Sequence, residues 1–116
     1  MDKQGNIALG YSASSSAVRP EVRYTGRLAG DALNTMTQGE STIVTGLGSQ
    51  TQNLTRWGDY TSMNIDPNDD CTFYFIGEYY PTTSLATWML KVGAFRYPAP
   101  QCIPVPVELQ TFTVQD

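Results

Sequence analysis

The sequence predicts an all-β fold of antiparallel sheets, and three features carry that prediction. Segments such as NIALGYSA and EVRYTGRL alternate larger apolar residues with small or polar ones, the period of two expected when one face of a strand is buried. Clusters of Gly, Pro, Asn, Asp and Ser separate these segments and mark turns. Charged residues make up only 16% of the chain while Thr, Ser, Gly, Tyr and Pro are plentiful, a balance that favours strands and turns over helices.

The elements follow in order. Asn6 to Ala13 reads as a strand with Ile7, Leu9 and Tyr11 on its buried face. After the polar connection SSSAVRP, Glu21 to Leu28 alternates again, with Val22 and Tyr24 on one face and Arg23 and Thr25 on the other. Gly26 and Gly30 permit a bulge or turn there. AGDALNTMTQGES has weak helical spacing, but its Gly, Asn and Thr content predicts an extended loop. Ser41 to Gly46 is a short apolar strand, and the polar stretch GSQTQNLTRWGDY leads from it to Thr61–Ile65. Thr61–Ile65 and Cys71–Gly77 bracket the turn formers DPNDD, with Pro67 suited to the second position of a type I turn, which predicts a hairpin. Leu85 to Tyr97 reads as one long strand with a glycine kink or as a strand pair. A helix through Trp88–Val92 is the competing local reading, and the flanking Thr and Gly favour strand. Four of the seven prolines fall in PAPQCIPVPVE, a linker in which central strand pairing is blocked, and TFTVQ beyond it predicts the opening strand of a following module.

At 116 residues the chain suits one small domain with a thin core. Its formal charge is −4 and it has no Lys/Arg cluster, so it lacks the electrostatic footprint of a nucleic-acid binder. No apolar run approaches the ~20 residues of a membrane-spanning helix, and MDKQGNIALG lacks the basic and apolar regions of a signal peptide. Its turn-like opening predicts a fragment of a longer protein.

WGDYTSMNIDPNDDCTFYFIGEYY, preceded by DKQGNIALGYSAS, EVRYTGRLAGD and GSQTQNLTRWGD, resembles the C-terminal blades of large exported bacterial β-propeller proteins of the sialidase-like or BNR-repeat kind. The likeness runs from about Asp2 to Cys102. PVELQTFTVQ, from Pro106 to Gln115, is similar to the segment that opens the small module before the sorting domain of type IX-secreted proteins. The resemblance implies a secreted or cell-surface parent, with blades at 1–98 and a Pro-rich linker with the start of a following module at 99–116. The strict aspartate box S-x-D-x-G-x-x-T-W is absent, and DKQGNIAL keeps only its Asp and Gly. A blade is usually a four-stranded antiparallel sheet and a ring needs about 4 to 8 of them. The chain therefore supplies two blades, or one with long inserts, and either copies associate to complete a ring or the strands close as a compact β-sandwich.

In an exported protein, Cys71 and Cys102 read as a disulfide across a loop of some 30 residues, worth roughly 2–4 kcal/mol, with two separate buried thiols as the alternative. With no His, a zinc site lacks ligands. Asp66, Asn68, Asp69 and Asp70 offer oxygens to calcium, yet an EF-hand frame puts Cys71 where Gly is required and Gly77 at the twelfth position, so an Asx-stabilised turn is the better reading. No other cofactor is expected. For glycoside chemistry, Asp59, Glu78, Tyr79 and Tyr80 with Arg56 and Arg23 as clamps supply the right residue types without a diagnostic spacing. The competing account is that Arg56 pairs with Asp59 or Glu78 and that the tyrosines pack between sheets. No G-x-S-x-G is present to support a serine hydrolase. Trp57, Tyr60, Phe73, Phe75, Trp88, Phe95 and Tyr97 invite carbohydrate stacking, but Phe73 and Phe75 share a strand face and read as core. Tyr74, Tyr79 and Tyr80 are then the candidate exposed platform for ligand. Asn53-Leu54-Thr55 has the form of a glycosylation sequon. The leading expectation is a non-catalytic scaffold or interaction portion of a propeller protein with a carbohydrate or protein ligand. The alternatives are part of a sialidase-like enzyme and a free-standing carbohydrate-binding module.

Overall fold

Among the described residues seven strands are found: β1 (Ile7–Ala13), β2 (Glu21–Arg27), β3 (Ser41–Val44), β4 (Ser62–Ile65), β5 (Phe73–Tyr79), β6 (Met89–Phe95) and β7 (Gln110–Val114). The computed structural model describes residues 1–98, Cys102 and the backbone of residues 110–114. No α-helix is present among the described residues, so the fold is all-β. The strands form two antiparallel sheets, one of three strands in the order β1-β2-β3 and one of four in the order β4-β5-β6-β7.

The two sheets face each other across a core of Val22, Ile43, Phe73, Phe75, Tyr79, Phe95 and Tyr97. Tyr24 of β2 stacks on Phe95 of β6 with ring centroids 3.8 Å apart, and Phe95 continues to Phe73 at 5.6 Å and Tyr97 at 6.0 Å. Each such buried side chain contributes about 1.5–3 kcal/mol of transfer free energy, and offset or tilted ring pairs add about 0.5–1.5 kcal/mol. Aromatic residues thus supply most of the core's contact surface.

In β1 the buried face is the opposite of the one that residue size predicts. Ile7 and Leu9 are exposed, while Ala8 and Gly10 look inward. The reason is the ring of Phe75: a Cβ built on Gly10 would lie 2.4 Å from it. Only a residue without a side chain fits there, so β1 turns its small face to the core. Gly93 behaves similarly. It does not kink β6, where it stays paired with Phe75; it makes room for Ile43, which would lie 2.9 Å from an added Cβ. Ile43 reaches that place because it is the extra residue of a bulge, Val22 pairing with Val44 and Arg23 with Thr42.

The predicted hairpin is β4–β5, with Ile65 opposite Phe73. Its turn is wider than type I: the Asp70 amide donates to the Asp66 carbonyl at 2.8 Å, a five-residue closure, and Asp70 takes a left-handed φ of 54°. The expected strand from Leu85 begins only at Met89. Before it, the Ser84 hydroxyl accepts the Thr87 amide in a local turn, and no helix forms through Trp88–Val92. The AGDALNTMTQGES stretch contains no strand or helix before its last residue, Ser41, which opens β3. At the N-terminus, the Asp2 carboxylate accepts the amides of Gln4 and Asn6 and the side-chain amide of Asn6, each at 2.9 Å, while the Lys3 amide donates to the Asp70 carbonyl. The opening turn is thereby fastened to the β4–β5 turn.

The strand expected to open a following module is β7, hydrogen-bonded along β6 with Leu90 opposite Val114 and Ala94 opposite Gln110. Of the Pro-rich linker predicted before it, PAPQCIPVPVE, only Pro98 and Cys102 lie among the described residues. Cys71 and Cys102 form the expected disulfide, with their Cα atoms 5.7 Å apart and a sequence separation of 31. Reduction, or Cys102→Ser, is expected to remove roughly 2–4 kcal/mol of stability, read as a drop in the urea midpoint.

Tyr97 carries a buried hydroxyl with no hydrogen-bond partner among the described residues. Burial, and then the neighbouring Tyr24, pushes its pKa from the ordinary 10.0 to about 12. The unfolded chain gives up this proton first, so the stability held below pH 10 is lost as pH rises towards 12. Tyr97→Phe is expected to raise stability at neutral pH by about 1 kcal/mol and to delete the latest component of a 295 nm phenolate titration.

Candidate functional site

The segment after β3 and the segment after β5 run side by side and are joined through their backbones. The Leu47 and Gly48 amides both donate to the Tyr80 carbonyl, at 3.0 and 2.9 Å, the Ser84 amide donates to Ser49, and the Thr51 amide donates to Ser84. Gly48 is required at this contact, since a Cβ would fall 1.9 Å from the backbone of Thr82. Tyr80 is fully buried beneath the junction, and its hydroxyl accepts from Gln50 Nε2 at 2.8 Å. Burial, the largest influence, raises the Tyr80 pKa against the opposing Gln50 hydrogen bond.

From this junction the chain reverses through Gln52 and Asn53, both left-handed at φ 60° and 61°. Two bonds then fix the returning loop. Gln50 Nε2 also donates to the Arg56 carbonyl at 2.7 Å, and the Tyr60 amide donates to Glu78 Oε2 at 2.8 Å. Glu78 sits on β5 and is only 2% exposed, so a buried carboxylate holds Tyr60 in place. Tyr60, itself 61% exposed, leans on Trp88 with ring centroids 5.6 Å apart and planes tilted by 38°.

These contacts create a pocket of about 350 Å³ lined by Leu54, Arg56, Trp57, Asp59, Tyr60, Glu78 and Trp88. Three aromatic rings, two carboxylates and one guanidinium converge on it. Such a mixture of apolar faces with a few polar groups is the usual make-up of a small-ligand site. Arg56 pairs with Asp59 at 3.1 Å, as one reading of the sequence expects. The pair is exposed, Arg56 at 81% of its side chain, and contributes little to stability.

Arg56, Asp59 and Glu78 are therefore brought together. Arg23 is not: it lies on β2, where its Nε donates to Glu21 at 2.6 Å and its Nη1 stands 3.6 Å from Glu40. Glu40 also accepts from Tyr11, whose pKa rises to about 12 through burial and then that bond. The predicted platform of Tyr74, Tyr79 and Tyr80 does not form. Tyr79 and Tyr80 are buried, the Tyr79 hydroxyl meeting the Met89 sulfur at 3.7 Å. Of the three, Tyr74 alone is exposed, with its hydroxyl donating to Asp66 at 3.4 Å. Strand parity held the signal, because Phe73, Phe75, Gly77 and Tyr79 share one face of β5. The aromatic surface instead comes from Trp57, Tyr60 and Trp88. Gln50 has no sequence signal at all.

Of the four residues proposed for calcium, Asp66 and Asp69 direct carboxylate oxygens into the turn itself. Asp66 Oδ1 accepts the Asn68 amide, while Asp69 accepts the Cys71 and Thr72 amides on Oδ1 and the Thr72 hydroxyl on Oδ2. Burial pushes the Asp69 pKa up, but the bonds from Thr72 and Cys71 prevail and lower it. Among the described residues no group of three or more metal-ligating side chains is assembled. Asn53 of the sequon is exposed on the loop beside the pocket.

Comparison of the chain with protein-family models, with curated proteins and with solved structures finds no match.

Glu78→Ala is expected to free the Tyr60 amide and loosen the 51–60 loop, costing about 1–3 kcal/mol and red-shifting tryptophan emission. Glu78→Gln keeps an oxygen for that amide and is expected to retain most of the native emission.

Proposed function

We propose that the chain is a non-catalytic, ligand-binding portion of an exported β-propeller protein, and that its ligand is a saccharide seated on Trp57, Tyr60 and Trp88. The convergence of these rings with Arg56, Asp59 and Glu78 on one pocket carries the reading. Sugar rings present flat C–H faces to aromatic side chains and hydroxyls to carboxylate and guanidinium groups, and this pocket offers both. The propeller setting is supported by the resemblance in sequence and by two antiparallel sheets packed face to face, an arrangement that adjacent blades share with β-sandwiches. A disulfide is compatible with an exported parent.

Hydrolysis of a glycoside has less support. Arg56 and Asp59 neutralise one another, one oxygen of Glu78 is committed to the Tyr60 amide, and Tyr79 is buried as a nucleophile. In titrations against an oligosaccharide panel, Trp88→Ala is expected to weaken binding at least tenfold with little loss of stability. No aryl glycoside is expected to be turned over, and measurable turnover abolished by Glu78→Gln would overturn the non-catalytic reading.

A further inference from the structure

The charge balance of the pocket points to a more specific ligand. The ion pairs among the described residues join Arg23 to Glu21 and Glu40, and Arg56 to Asp59; Glu78 is in none of them. Glu78 is almost fully buried as a residue, and the Tyr60 amide satisfies one of its carboxylate oxygens with a neutral donor. A buried carboxylate without a counter-charge is costly, and a cation brought to it relieves that cost. With Arg56 offset by Asp59, the lining carries one net negative charge.

The neighbours of Glu78 favour the same sign. Tyr60 and Trp88 touch each other and line the same pocket as Glu78, and the quadrupoles of aromatic rings attract cations. The chain as a whole is at −4, which repels an anionic sugar on approach.

Building on the saccharide reading, we propose that this pocket selects sugars bearing a free ammonium group, such as de-N-acetylated hexosamines, over their N-acetylated counterparts. The ammonium donates a charge-assisted hydrogen bond to the free oxygen of Glu78, the sugar's apolar face lies on Trp88 and Tyr60, and Arg56 with Asp59 borders the hydroxyls. An N-acetyl group would replace that cation with a neutral amide and leave Glu78 unpaired.

The test is calorimetric titration of the full chain with glucosamine oligomers and with N-acetylglucosamine oligomers of equal length and linkage. The ammonium form is expected to bind at least about tenfold tighter, with the preference collapsing in Glu78→Gln, which preserves the bond from Tyr60, and shrinking at high salt. Asp59→Asn, at an exposed position, offers a second reading of the same charge effect and is expected to weaken the preference. Equal affinity for both oligomers, or tighter binding of the acetylated one, overturns the ammonium inference and leaves the saccharide reading standing. Binding of neither oligomer, nor of any sugar in the wider panel, overturns both.

Discussion

The contact between the Phe75 ring and the backbone of Gly10 sets how closely the two sheets approach, and the rest of the molecule is arranged around that spacing. Because β1 can offer only small residues to this contact, its larger side chains are turned outward, leaving Ile7 and Leu9 exposed. Beside this contact, the continuous row of Tyr24, Phe95, Phe73 and Tyr97 fills the space between β2 and the β5–β6 pair. Glycine on one sheet therefore matches a large side chain on the other, an alternation of small and large that lets the two sheets interdigitate. The bulge at Ile43 extends this matching to Gly93.

The pocket depends on that interface without being part of it. β5 supplies core residues from one face, Phe73, Phe75 and Tyr79, while Glu78 between them anchors the loop that carries Tyr60. The same strand leads into Tyr80, whose carbonyl receives Leu47 and Gly48 and whose hydroxyl receives Gln50. Gln50 then holds the Arg56 carbonyl. A short chain of hydrogen bonds thus runs from a buried tyrosine to the pocket rim, and the rim's position follows from the register of β5. Buried polar groups that are joined in this way specify one arrangement, since each lost bond would leave a desolvated partner behind.

Much of the scaffold was legible from local chemistry. Period-two alternation marks β1, β2 and β5, the Asp-Pro turn places the β4–β5 hairpin, and the glycine- and asparagine-rich composition after β2 accounts for the loop there. Phe73 and Phe75 were assignable to the core from their two-residue spacing, and Arg56 to Asp59 from proximity in sequence. Less was legible at the site. Tyr79 and Tyr80 read as polar-tipped aromatics suited to a surface, and only the packing of the second sheet and of the 46–51 segment buries them.

The class of fold, the approximate place of most strands, the presence of a turn at DPNDD and the residue types available for chemistry follow from the sequence alone, because these depend on local propensity and on the period of side-chain direction along a strand. The tertiary structure decided which face of β1 is buried, because the choice is set by Phe75, 65 residues away, and not by the hydrophobicity of β1. It also decided which aromatics meet a ligand. Trp57, Tyr60 and Trp88 lie on two separate connections and come together only after Glu78 and Gln50 fasten the loop against β5. Contacts between distant segments depend on register and on sheet spacing, neither of which is written in any one stretch of the chain.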